Sequence, residues 1–162
     1  MKYFLLSAAL CACLYAKSQS LAPDSAIMDP VKKLFQGMHE GDSAMVHEAF
    51  AARPFMATVT RGKSGKAVMR MDEFSRFLIA VGTPHDQPWS ELIWDVTIKS
   101  DGRLAQVWAK YAFYVGRKFS HCGVDAFQLF RDDDAGWRIF SVADTREKEA
   151  CDVPSSISAN FK

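Results

Sequence analysis

Between Trp89 and Arg146 four strand-like runs follow one another with only short turns between them, and that succession limits the possible folds more than any other feature of the chain. Strands joined so tightly must pair as antiparallel neighbours, because a parallel pairing needs a crossover of a dozen or more residues. From Glu91 to Lys99, Trp94, Val96 and Ile98 alternate with Asp95, Thr97 and Lys99. Asp101-Gly102 is a tight-turn dipeptide. Leu104 to Val115 then sets Ala105, Val107, Ala109, Tyr111 and Phe113 on one side, with Gln106, Trp108, Lys110 and Tyr114 on the other. Gly116 to Lys118 turns the chain into Phe119–Arg131, and Asp132 to Gly136 turns it again into Trp137–Ala143. The acidic triplet in that last turn reads as a solvated turn, since a calcium loop needs more oxygen ligands at alternating positions.

Upstream the period changes. Asp24 or Ser25 caps a helix to about His39, with Ile27, Val31, Leu34, Phe35 and Met38 forming one apolar stripe and Pro30 in its first turns. Gly41 ends it, and Asp42 or Ser43 caps a second helix through Phe50. Phe55–Thr60 and Ala67–Arg70, joined through Gly62 to Gly65, read as a hairpin. Asp72 caps a third helix whose inner face is Phe74, Phe77, Leu78 and Val81, stopped by Gly82-Thr-Pro84. Helices followed by consecutive strands predict an α+β domain with three helices packed on a strongly curved, mostly antiparallel sheet. Large apolar residues on both faces of the long strands predict a homodimer through the convex face, using Trp108 and Tyr114.

With 162 residues the chain is one domain's worth, and a net charge of +1 without a basic stripe argues against nucleic-acid binding. Met1-Lys2, the apolar run Tyr3–Ala16 and small or polar residues after it predict a signal peptide over residues 1–20, cleaved after Ser18 or Ser20. The run is too short for a permanent membrane span, which needs about 20 apolar residues. The expected product is periplasmic or secreted, with a lead-in at 21–26, a domain at 27–146 and a polar, partly mobile tail at 147–162. Leu10-Cys-Ala-Cys13 offers an alternative, a lipoprotein carrying its lipid on Cys13. Once residues 1–20 are lost, Cys122 and Cys151 remain, and in an oxidising compartment they form either a disulfide or two separate thiols.

The element order, with Asp101–Ala105, Trp108–Tyr114, Phe119–Phe127, Gly136-Trp137 and Asp144–Arg146, resembles the nuclear-transport-factor-2-like (NTF2-like) superfamily. That is the cone-shaped α+β fold shared with SnoaL-type cyclases, ketosteroid isomerase and scytalone dehydratase. The nearer likeness is to its exported bacterial SnoaL-like branch, labelled "putative lumazine-binding", and it covers about Ile27 to Arg146. The resemblance implies a cone-shaped pocket. It implies no particular chemistry, because members are variously enzymes, binding proteins and association modules. The isomerase set of acidic base, Tyr and protonated acid is not matched by spacing, nor is the dehydratase set of His and Tyr residues.

In Phe119–Arg131 a period of two puts Phe119, His121, Gly123, Asp125, Phe127 and Leu129 on one face. His121 and Asp125, between aromatics, make either an acid–base pair in a hydrophobic pocket or a structural pair that satisfies itself. Ser120 is expected on the opposite face, out of reach of His121. Tyr111, Phe113, Phe127 and Trp94 are the candidate pocket walls, Trp94 being otherwise core. Asp144 and Arg146 form either a salt bridge clamping the C-terminus or an anion-binding rim. No His-x3-His, Cys-x2-Cys, Gly-rich phosphate loop or Gly-x-Ser-x-Gly is present, so neither a metal nor another cofactor is expected. Three functions follow. The first is a binder of a small, mostly apolar molecule touching Tyr111, His121, Asp125 and Phe127. The second is a lyase or isomerase using His121 or Asp125 as base in the same pocket, and the third is an association module with a filled cone.

Overall fold

The computed structural model describes residues 24–149 and 151–161. The expected signal peptide and the alternative at Cys13 lie outside these residues. Helices α1 (Asp24–Glu40) and α2 (Ser43–Ala49) lead into strands β1 (Phe50–Arg61) and β2 (Ala67–Met71). Helix α3 (Phe74–Gly82) follows, then β3 (Trp89–Ser100), β4 (Leu104–Val115), β5 (Lys118–Asp132) and β6 (Gly136–Arg146).

Ile27, Val31, Leu34 and Met38 recur on one side of α1, and all four are buried. Pro30 lies well inside this helix rather than in its first turn. It has no N–H to give the carbonyl of Ala26, a loss that the packing of its own buried face offsets. Gly41 ends α1 at φ 71°, a left-handed conformation that a Cβ disfavours. The Asp42 carboxylate then accepts from Met45 N at 2.9 Å and caps α2. Asp72 does not cap α3. That position falls to Glu73, which makes no side-chain cap, and Asp72 turns towards the cone.

The sheet has six strands in the order β2-β1-β6-β5-β4-β3. Its pairs are antiparallel except β1 with β6. Tyr111, Val107, Phe127, Leu129 and Ile139 on the concave face pack with Ile27, Val31, Leu34, Val46 and Val81 from the helices. Burying each such side chain contributes roughly 1.5–3 kcal/mol.

Register shifts interrupt β1, β3, β5 and β6. An extra residue bends its strand and exchanges the faces beyond it. On β3 the shift falls between Trp94 and Thr97, where Asp95 takes φ 51°. Trp89 and Glu91 therefore face the cone on one side of it and Ile98 the core on the other, while Trp94 points to the convex face. The predicted common face of Trp94, Val96 and Ile98 does not exist, and Trp94 is no pocket wall. On β5, Phe113 pairs with His121 but Tyr114 with Phe119, leaving Ser120 as the extra residue. Phe119 accordingly leaves the face of His121 and joins the convex cluster.

That cluster comprises Ala112, Tyr114 and Cys122 with Leu92, Trp94, Phe119, Cys151, Val153 and Phe161. The segment after β6 is thus not a loose tail. Glu147 exchanges backbone hydrogen bonds with Cys122 at 2.9 and 2.8 Å, Cys122 and Cys151 are joined by a disulfide with Cα atoms 6.2 Å apart, and Phe161 stacks on Tyr114 at 3.9 Å. Tyr114 is covered by its own chain, whereas Trp108 remains 49% exposed. The patch expected to carry a dimer is reduced to the Trp108 half.

Candidate functional site

Inside the cone lies a cavity of about 490 Å³. Leu34, Phe35 and Met38 from α1, Phe77 and Ala80 from α3, and Trp89, Phe113 and Phe127 from the sheet form its apolar walls. Phe35 meets Phe127 edge-on with ring centroids 6.2 Å apart. Polar groups gather at one end: Thr58, Asp72, Glu91, Tyr111, His121, Asp125, Asp144 and Arg146. Their positions follow from strand alternation. Thr58 is the register partner of Asp144, and Phe113 lies between Glu91 on β3 and His121 on β5.

Tyr111 is fully buried and crosses to β6, its hydroxyl 2.9 Å from Thr145 O and 3.1 Å from Asp144 Oδ2. Gly123, its partner on β5, permits this crossing. A Cβ at Gly123 would collide with the Thr145 carbonyl and side chain, so glycine here lets β6 fold in over the strand. Burial, and then the charges of Asp144, Glu91 and Asp125, push the Tyr111 pKa up. Its O–H stays a donor.

Asp144 accepts from Thr58 Oγ1 at 2.5 Å and from Arg146 Nε at 2.7 Å. This is the clamp expected of Asp144 and Arg146, and it also lines the cavity. Burial opposes the Arg146 charge, but its bond to Asp144 outweighs that and holds the guanidinium ionised.

His121 and Asp125 both line the cavity, yet they do not form the expected pair. His121 Nδ1 meets Ser120 Oγ at 3.0 Å, a contact the bulge creates and simple alternation excludes. The imidazole packs against Phe113 and Tyr111 at 5.0 and 5.7 Å. Burial, reinforced by Arg146, pulls its pKa down to about 4, so the ring is neutral at physiological pH.

The partner of Asp125 is Glu91, which the expected site did not include. The two carboxyl groups face each other closely enough that each shifts the other's pKa. Burial raises both: Glu91 is pushed up to about 7, with Asp144 adding to the effect, and Asp125 is pushed well above the carboxylate range by burial and by Glu91. Two carboxyls in contact at a buried site cannot both ionise cheaply, so the pair keeps a proton near neutrality. Glu91 had a signal in the sequence. It stands two residues from both Trp89 and Ile93, a carboxylate in the apolar row of a strand. Among the described residues no group of three or more His, Cys, Asp or Glu is disposed to hold a metal, and no helix is long and apolar enough to cross a membrane.

Helices α1 and α3 over a strongly bent six-stranded sheet, with an enclosed polar cluster, define an NTF2-like α+β fold. The chain belongs to the family described as "putative lumazine-binding", whose model matches residues 22–143. Solved structures of the same shape include an NTF2-like protein of unknown function from Shewanella baltica, 16% identical, covering 78% of this chain and 94% of that one at a TM-score of 0.56. A cystatin-like-fold protein of unknown function from Nostoc punctiforme is 8% identical over 78% and 92% of the two chains, with a TM-score of 0.60. The beta subunit of a putative aromatic-ring-hydroxylating dioxygenase from Novosphingobium aromaticivorans is 13% identical over 78% and 90%, at 0.62. At such identities the likeness is one of fold. No curated protein matches the sequence.

Proposed function

We propose that this is an exported protein that holds a small, mostly apolar molecule in the cone. The observation that carries this reading is the cavity of about 490 Å³, apolar along its walls and polar at one end, which is how small-molecule sites are built. An open cone also speaks against an association module whose cone is filled by its own side chains. The export rests on the N-terminal sequence alone. A neutral apolar fluorophore, N-phenyl-1-naphthylamine, tests the site. It brightens on binding the wild-type chain and does not with Ala80→Phe, which fills the cavity from α3. Equal brightening with a folded Ala80→Phe protein refutes the reading.

A second reading has its own support. A carboxyl pushed up to about 7 inside a largely apolar cavity is poised for proton transfer, so Glu91, backed by Asp125, would be the base of a lyase or isomerase. In that case Glu91→Gln abolishes turnover while ligand binding is largely retained. For self-association we propose the bare half of the convex face around Leu104 and Trp108, both 49% exposed. Trp108→Lys should then yield a monomer in sedimentation.

A further inference from the structure

We infer that the molecule held in the cone presents a cationic nitrogen, a primary ammonium or a protonated heterocycle on an apolar body, to Glu91 and Asp125. This rests on the cone being a ligand site, and it names the class of ligand.

Asp125 is 3% exposed, lines the cavity and has an Oδ2 with no hydrogen-bond donor among the described residues. The group lying against it is Glu91, another carboxyl. Such a pair is satisfied in the empty protein only by keeping a proton between its members. The charges facing it do not change that. From β6, Arg146 is committed to Asp144 at 2.7 Å, so together they add no net charge. From β4, Tyr111 has turned its hydroxyl to Asp144 and Thr145. From β5, His121 is neutral and meets Ser120. Asp72, Glu73 and Arg76, at and after the end of β2, add a further net negative charge. The remaining basic residues nearby, Arg61, Arg70 and Lys148, line an adjoining cleft that meets the cone at Thr58, Asp72, His121 and Arg146, and none of the three lines the cone itself.

Each class of ligand then meets a different reception. A carboxylate would face two carboxyls at the inner end. A neutral apolar molecule would leave Asp125 Oδ2 as it is, without a donor. An ammonium supplies both the donors and the charge, in a site where charge-assisted hydrogen bonds are strong. Binding is written R–NH₃⁺ + (pair·H)⁻ → R–NH₃⁺·pair²⁻ + H⁺, with the shared proton released to solvent. Affinity for the cation therefore rises with pH across the neutral range.

The test uses the whole chain and three probes of one shape: 3-phenylpropylammonium, 3-phenylpropan-1-ol and 3-phenylpropanoate. Calorimetry at pH 7.5 in two buffers of different ionisation enthalpy gives affinity and proton release together. The ammonium is expected to bind at least tenfold tighter than the alcohol, with the propanoate weakest. Close to one proton should be released. Glu91→Gln and Asp125→Asn should each bring the ammonium down to the alcohol's affinity, and both are near-isosteric with the protonated carboxyl they replace, so both should fold. Alcohol or propanoate binding as tightly as the ammonium, or ammonium binding indifferent to both variants, overturns the cationic class. If those probes still fail on Ala80→Phe, the cavity reading survives that result. If none of the probes competes with the naphthylamine, and the naphthylamine itself ignores Ala80→Phe, both readings fall.

Discussion

A carboxyl pair and a histidine lining this cone respond to acid in opposite directions, and replacing the two sides one at a time should separate their effects. Glu91 titrates at 4.5 in the unfolded chain and at about 7 in the folded one. Between those values the folded state holds the extra proton, so stability is present in full below pH 4.5 and is lost as pH rises through about 7. His121 runs the other way. Its pKa falls from 6.5 to about 4, so the unfolded state takes up the proton first and stability is lost as pH falls from 6.5 towards 4. Each interval converts to at most about 3 kcal/mol at 1.36 kcal/mol per pH unit. Between pH 4.5 and 6.5 the Glu91 and His121 slopes oppose each other, and Asp125, raised by burial and by Glu91, adds to the carboxyl side. Urea unfolding followed by Trp fluorescence at half-unit steps reads the curve. Glu91→Gln combined with Asp125→Asn should expose the histidine limb, losing about 2–3 kcal/mol between pH 6.5 and 4.5. His121→Gln should expose the carboxyl limb and gain a similar amount over the same range. If both variants keep the wild-type profile, these groups titrate in the fold as they do in water, and the account of the cluster is wrong.

Other expectations follow from single contacts. Reduction of the disulfide, or Cys122→Ser with Cys151→Ser, releases a loop spanning 29 residues and should cost roughly 3–4 kcal/mol, seen as a Tm about 10 °C lower. The same change should increase amide exchange at Val153 and Phe161, whose hold on the convex face depends on it. Gly123→Ala forces a Cβ against the Thr145 carbonyl and should cost about 2–3 kcal/mol in chemical denaturation. Tyr111→Phe removes the donor to Asp144 and Thr145 and should destabilise by about 1–2 kcal/mol, with the cavity otherwise kept.

The α+β order, the helix stripes and the antiparallel succession from Trp89 onward were legible because each depends on a regular period over ten or so residues. The inner row of β4, from Ala105 to Phe113, is where alternation places it, and so is His121 to Leu129 on β5. What alternation cannot show is a bulge. One extra residue at Ser120 carries Phe119 to the other face and brings the Ser120 hydroxyl onto His121. The shift between Trp94 and Thr97 removes Trp94 from the cone and makes Glu91 and Trp89 its lining. No local composition marks either site, since the bulges answer to the bend of the whole sheet over α1 and α3. The pairing of Glu91 with Asp125 was hidden for a related reason. The two are on strands separated by β4 and meet only because the sheet curls. In the tail only Cys151 stood out as an anchor, because the polar composition masks the two others, Val153 and Phe161, that pack on the convex face.

The most direct test of a ligand-holding cone is a crystal structure of the protein purified from its native host, with the density between α3 and the concave sheet inspected before any other. The account predicts a bound molecule of apolar body with a nitrogen within hydrogen-bonding distance of Glu91 or Asp125. A cone collapsed to a dry core, with Phe35, Phe77 and Trp89 filling the space and the two carboxyls facing only each other, would contradict it.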